Sequence, residues 1–151
     1  MSLYFEDFPV GHEHETRGRT ITEADIVAFA GLSGDYNEIH TNEQYSAGTR
    51  YGRRVAHGIL TLSIATGLSV QTNLMTESIV AFYGIDKLRF TKPVFIGDTI
   101  RVRKKVIDTL TKGREIGVVT FETTVVNQNN EPVLVYRDKV VLKQKAVPAS
   151  A

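Results

Sequence analysis

The sequence predicts an α+β domain in which an antiparallel sheet curls around one long helix. Helical signals crowd into residues 22–75, whereas strand signals fill residues 79–143. The stretch Gly58 to Met75, GILTLSIATGLSVQTNLM, is apolar or small on nearly every side, which is how a helix enclosed all round reads. The strands that follow are joined by short connections, which suit antiparallel neighbours better than parallel crossovers.

An early strand is placed at Glu13–Thr20. Thr22 followed by Asp25 forms a capping box, with Ile21 and Ile26 at the two positions of a hydrophobic staple, so a helix starts at Glu23. Ile26, Val27 and Ala30 give it an apolar face, and Ser33-Gly34 ends it, glycine entering the left-handed region without penalty. Thr41 with Gln44 repeats the capping pattern and opens a short helical turn through Tyr45 and Ala47. A loop with Arg50, Arg53 and Arg54 leads to the central helix of residues 58–75. Its Ser63, Ala65, Thr66 and Gly67 let other backbones come close, Gly67 at a cost of about 1 kcal/mol in helix propensity. Leu62, Leu68, Val70 and Leu74 read as core before pocket wall. Strands follow at Ile79–Phe90, from Ile100 after a Gly97-Asp98 turn, at Ile116–Val126 and at Val133–Leu142, the last two joined by Asn129-Asn130-Glu131-Pro132. In the strand from Ile100, Val102, Lys104 and Val106 share one parity and Arg101, Arg103 and Lys105 the other. That makes about five strands.

The 151 residues contain no linker, charge block or repeat, so one domain spanning residues 1–151 is expected, with Ala146 to Ala151 as a frayed tail. A hydrophobic share of 42% and a charged share of 23% exclude disordered and collagen-like chains. A net charge of +1 provides no field for gripping nucleic acid or an anionic membrane. The absence of cysteine excludes disulfides, thiolate zinc sites and cysteine nucleophiles. His12 and His14, two apart with no third ligand nearby, read as solvated, and no metal is expected. The N-terminus MSLYFEDFPVG has acids where a signal peptide needs positive charge, and no apolar run is long enough to span a membrane, so a cytoplasmic location is expected.

Chemistry concentrates in Phe29-Ala-Gly-Leu-Ser-Gly-Asp-Tyr-Asn-Glu-Ile-His40 and Val55-Ala-His-Gly-Ile-Leu60. Asp35 and His40 lie five apart across a loop between two capped helices, so their side chains can converge on one point. With an imidazole that titrates near pH 6.5 and a carboxylate near 3.9 that desolvation raises, such a pair can hold a water, take a proton from it and deliver one near neutral pH. Asn37 suits the turn between them. His57, just before a helix start, reads as a capping or packing residue.

Together these segments resemble the MaoC-like hydratase/dehydratase family, the (R)-specific enoyl-CoA hydratases. The family signature runs aromatic-x-x-x-Ser/Thr-Gly-Asp-x-Asn-Pro-x-His, followed by His-Gly at the start of the central helix. Phe90-Thr-Lys-Pro-Val-Phe-Ile-Gly-Asp98 is similar to the family's turn between strands, and Glu38 stands where the family has proline. The resemblance implies a hot-dog fold, an acyl-CoA substrate, and reversible hydration of 2-enoyl-CoA to (R)-3-hydroxyacyl-CoA. No separate cofactor is expected, coenzyme A being part of the substrate, and neither nucleic acid nor membrane is a partner.

Asp35 and His40 then share the acid and base roles, Asn37 braces their loop, and Thr66 supports the aspartate. Gly58, at the start of the central helix, offers a first-turn N–H and the positive end of the helix dipole to the enolate oxygen. A side chain at Gly58 is expected to obstruct the thioester while favouring the helix by about 1 kcal/mol. Arg50, Arg53 and Arg54 match phosphate geometry and equally suit a solvated surface; Lys87, Arg89 and Lys92 share that ambiguity. A homodimer is expected, because Ile116–Val126 is too apolar for an exposed sheet border. A hot-dog thioesterase and a non-catalytic acyl-CoA-binding protein are the alternatives.

Overall fold

The computed structural model describes residues 1–146; the rest of the expected tail lies outside the described residues. Thr22 accepts the Asp25 N–H at 3.2 Å and the Asp25 carboxylate accepts the Thr22 N–H at 2.9 Å, so α1 (Glu23–Ser33) begins where its capping box puts it. Gly34 closes it at φ 76°. The second capping box does not form. The Thr41 hydroxyl donates to the Tyr36 and Asn37 carbonyls, ending a short helix α2 (Glu38–Thr41), and Asn42 caps α3 (Glu43–Ala47) by accepting the Tyr45 N–H at 3.0 Å. An asparagine one residue later does the same job, and its amide also donates to Glu38.

The central helix α4 (Gly58–Val70) stops five residues before the expected Met75, where Thr72 and Asn73 turn the chain and Asn73 takes φ 58°. It is not enclosed all round. Leu60, Thr61, Ala65, Leu68 and Ser69 are buried, but Ile59 and Val70 stand open to solvent with Ser63, on one face that also carries the half-buried Thr66.

Among the described residues the sheet has six strands. β1 (Glu13–Glu15) and β2 (Arg19–Thr20) replace the single early strand, and both pair antiparallel with β4 (Thr99–Lys112). They are separated at Thr16, whose N–H donates to the Val102 carbonyl and whose hydroxyl accepts the Val102 N–H. The order β1-β4-β5-β6-β3 continues through β5 (Ile116–Val126) and β6 (Pro132–Lys143) to β3 (Ile79–Phe90).

The dimer argument from Ile116–Val126 is therefore corrected: β5 is a middle strand, and Val119, Phe121 and Val125 are fully buried within the chain. The open border is β3, with Ile79, Val80, Phe82, Tyr83 and Phe90 exposed.

One core cluster joins Ile26, Leu60 and Leu68 to Val102, Val125 and Leu134; a second gathers Phe8, Val106, Val119, Phe121, Val140 and Leu142. In the second, Phe5 packs against Gly117, where a Cβ would stand 2.4 Å from the ring. Gly117→Val is expected to lose about 1–3 kcal/mol through overpacking, read as a shifted midpoint in urea unfolding.

Candidate active site

Between α1 and α2, three short side chains shape the loop by accepting N–H groups two residues on. Ser33 accepts from Asp35, Asp35 Oδ1 from Asn37, and Asn37 from Ile39, each at 3.1 Å. Asn37 also caps α2 through this bond. Glu38 is the first residue of α2, the position where proline is favoured, since a missing N–H there breaks no helical bond. Glu38→Pro is expected to fold and to gain about 0.5 kcal/mol from a smaller unfolded ensemble, checked by thermal melting.

His40, carried on α2, is buried, and its Nδ1 lies 2.7 Å from the Val55 carbonyl. A carbonyl only accepts, so Nδ1 carries the proton and Nε2 is left as an acceptor, 4.0 Å from Asp35 Oδ2. Burial holds the His40 pKa below the ordinary histidine range, and His57 adds to this; Val55 and Asp35 pull the other way. The imidazole is accordingly neutral at pH 7. The Asp35 side chain is half-exposed.

His57 joins this pair, which its sequence position did not announce. It is 2% exposed, makes no side-chain cap to α4, stacks on His40 at 3.8 Å and 27°, and meets the Phe29 ring at 4.9 Å. Its Nε2 donates to the Asp35 carbonyl at 2.9 Å, and its Nδ1 is buried with no partner among the described residues. The signal available in the sequence was its place next to Gly58. Ligand atoms of Asp35, His40 and His57 come within 4.8 Å of one another. An ion must lie in the plane of each ring at about 2.0–2.1 Å from its nitrogen, and two stacked rings have no such common point, so the trio is not built as a metal centre.

Gly58 opens α4 with one of the N–H groups that no helical carbonyl can reach. A Cβ there would stand 2.6 Å from the Phe90 ring, so the glycine makes room for an aromatic side chain as well as for a ligand. This corrects the expected gain in stability from a side chain at Gly58, because Phe90 must move. A cleft of about 360 Å³ lies beside it, walled by His40, Arg50, Tyr51, Gly58, Phe90 and Lys92 among others.

The other assigned residues divide. Arg50 faces the cleft. Arg53 stacks on Phe95 at 4.0 Å, and Arg54 is held between Glu23 at 2.8 Å and Glu43 at 2.6 Å, tying α1 to α3, so its donors are engaged within the chain. Of the second basic stretch, Lys92 reaches the cleft and pairs with Glu131, whereas Lys87 sits at φ 54° in a bulge of β3. Thr66 donates to the Ser63 carbonyl at 2.7 Å and makes no bond to Asp35 within the chain. His12 and His14 are not solvated: both are half-buried, and burial together with Lys104 lowers the His14 pKa to about 4.

A sheet folded over one central helix defines a hot-dog fold. The same chain path occurs in a Mycobacterium tuberculosis protein with a double hotdog fold (TM-score 0.80, 23% identity, 99% of this chain and 46% of that one). Residues 7–129 match the MaoC like domain, and the chain belongs to that family.

Among its relatives are an (R)-specific enoyl-CoA hydratase of Rhodospirillum rubrum, 37% identical over 80% of this chain and 79% of that protein, and a 3-hydroxybutyryl-CoA dehydratase of Methylorubrum extorquens, 37% identical over 74% and 69%. Protein MaoC of Klebsiella aerogenes is 45% identical over 66% of this chain, a match that spans only 29% of the Klebsiella protein. A monoamine oxidase regulatory protein from Archaeoglobus superimposes with a TM-score of 0.90 at 37% identity, over 96% of this chain and 97% of the other. Among the described residues no helix is long and apolar enough to cross a membrane.

Proposed function

We propose that this chain reversibly adds water to 2-enoyl-CoA thioesters, giving (R)-3-hydroxyacyl-CoA. The observation that carries the reading is the fixed tautomer of His40, whose Nε2 lone pair faces Asp35 Oδ2 across 4.0 Å. Two acceptors at that separation suit one water donating to both, the two donor bonds of normal length meeting at about 90°. Its oxygen lone pair is then free for C3 of the alkene.

As the new C–O bond forms, the alkene electrons move toward the thioester oxygen, where the Gly58 N–H receives the charge at the positive end of α4. One water proton passes to His40 Nε2, the imidazolium is stabilised by the Asp35 carboxylate, and the proton is returned to C2. His57 is a positioning residue: it holds the Asp35 carbonyl and stacks on His40, so both partners of the water keep one orientation.

Hydration of crotonyl-CoA, followed as loss of enoyl absorbance with chiral analysis of the product, tests the reading. Release of free coenzyme A with the alkene intact would identify a thioesterase, and binding without turnover a passive carrier.

The exposed apolar border at β3 supports a homodimer in which that edge is covered by a second copy. Light scattering at micromolar protein is expected to return at least twice the 16.8 kDa of one chain. Phe82→Glu should shift the population toward single chains.

A further inference from the structure

Between the two core clusters the inner face of the sheet carries a polar trio, a charged pair and a hydroxyl. Lys104 on β4 donates to Asp138 Oδ2 at 2.5 Å, and Thr123 on β5 donates to Oδ1 at 2.5 Å. The side chains of Lys104 and Asp138 are 4% and 1% exposed. Both carboxylate oxygens are thus engaged, but an ammonium has three donors, and among the described residues Asp138 is its one hydrogen-bond acceptor; the Phe121 ring lies 4.6 Å from Nζ. A buried pair of this kind returns little stability, since packed apolar side chains in its place are often as stable or more so.

A cavity of about 290 Å³ opens against Lys104 and Asp138. Its other walls are mostly apolar: Val70 on α4, Ile79 and Phe82 on β3, and Val140 on β6, with Thr66 at the side. The open face of α4 leads to it from the candidate active site. Ile59 walls the cleft beside Gly58, Thr66 and Val70 wall the second cavity, and the spacing 59, 63, 66, 70 keeps all four residues on one face. β3 runs alongside, with Phe90 at the first cavity and Phe82 at the second. From Gly58 to Thr66 the helix rises about 12 Å, the reach of an extended acyl chain of about eight to ten carbons.

We infer that the Lys104–Asp138 pair is a specificity element, and that the chain prefers medium-length enoyl thioesters whose acyl group ends in a neutral oxygen, a hydroxyl or a carbonyl. With the thioester oxygen on the Gly58 N–H, such a chain lies along the open face of α4 and places its terminal oxygen on the spare ammonium donors. The pair sums to zero charge, so a terminal carboxylate would bring an unbalanced buried charge, whereas a neutral acceptor uses the free N–H groups at no such cost. A plain hydrocarbon end leaves them unmet. This inference rests on the acyl-thioester reading above.

The test is equilibrium binding of decanoyl-CoA, ω-hydroxydecanoyl-CoA and ω-carboxydecanoyl-CoA, none of which can be hydrated, to the full-length protein. The ω-hydroxy thioester is expected to bind about tenfold more tightly than decanoyl-CoA, a hydrogen bond to a charged group having that effect, and the ω-carboxy thioester more weakly than either. In Lys104→Met/Thr123→Val/Asp138→Leu, where the whole trio is apolar and no charge is stranded, the preference should reverse in favour of decanoyl-CoA.

Equal affinity of the unaltered protein for the hydroxy and plain chains, or tightest binding of the carboxy chain, overturns the inference and leaves the hydratase reading standing. Binding of none of the three, with no hydration of crotonyl-CoA, overturns both. The comparison on the unaltered protein decides the matter even where the triple variant does not fold.

Discussion

Asp35→Asn and His40→Gln should each lower the rate of crotonyl-CoA hydration by a factor of about 10²–10⁴ while the protein remains folded, because the first removes the carboxylate that holds the attacking water and the second the base that takes its proton. Asp35 is half-exposed and its Oδ1 is engaged by the Asn37 N–H, a bond that the asparagine carbonyl can retain, so the loop should keep its shape. His40→Gln keeps a side-chain amide able to donate to Val55 but removes the group that accepts the proton. Since both act on the same water, the double variant should be little slower than the poorer single one.

The pH profile carries the same assignment. His40 has its pKa depressed by burial, so its neutral, basic form persists below the ordinary histidine range, and the acid limb of kcat should fall below about pH 6.5. Activity lost on the alkaline side of about pH 6.5 instead would mean that His40 works as imidazolium. The same depression makes the folded state lose stability as pH falls from the unfolded histidine pKa toward the lower folded one. Near wild-type rates in either single variant would remove the mechanism.

At the other side of the substrate, Gly58→Ala should slow hydration by about 10²–10³-fold, the usual loss when one oxyanion donor is disabled. The helix gains about 1 kcal/mol from alanine, but the new Cβ overlaps the Phe90 ring at 2.6 Å, so the two effects oppose and net stability should stay within about 1 kcal/mol of the parent.

That contact also separates two reasons for the glycine. If Gly58 serves only to admit Phe90, adding Phe90→Ala to Gly58→Ala restores the rate of Phe90→Ala alone. If the N–H receives the thioester oxygen, the double variant stays slow, because the methyl still stands over the donor. Paired melting and rate measurements on the three variants decide between them.

Much of this was legible in the chain itself, for local reasons. The capping box at Thr22, the stop at Gly34 and the Asp35-Asn37-His40 loop depend on neighbours within a few residues, and they lie where the sequence puts them. The strand Ile116–Val126 has its predicted limits, yet its place in the middle of the sheet could not be read, because pairing order depends on residues far away in sequence. The end of α4 was overrun because Gln71 to Met75 stays compatible with a helix until the Asn73 turn is seen.

Residues whose meaning depends on tertiary partners were the hardest to read. Arg54 looks like a phosphate ligand until Glu23 and Glu43 are brought to it, and His57 looks like packing until the Asp35 carbonyl arrives at its Nε2. Lys104 shared a parity with valines and was buried with them; nothing in β4 reveals that Asp138 waits on another strand.

The loop that carries the dyad is a self-contained piece of chain. Ser33, Asp35 and Asn37 each fold the backbone back on themselves within two residues, and its ties to the rest are two imidazole contacts, His40 to Val55 and His57 to Asp35, with the Ser46 hydroxyl and the Val55 N–H donating to carbonyls of α2. Geometry written so locally travels with its own sequence. Mutations that reshape the groove beyond it, along Ile59, Thr66, Val70 or Phe82, can accumulate without moving the carboxylate or the imidazole. The architecture therefore separates a loop whose shape is set locally from a groove whose size can change without it.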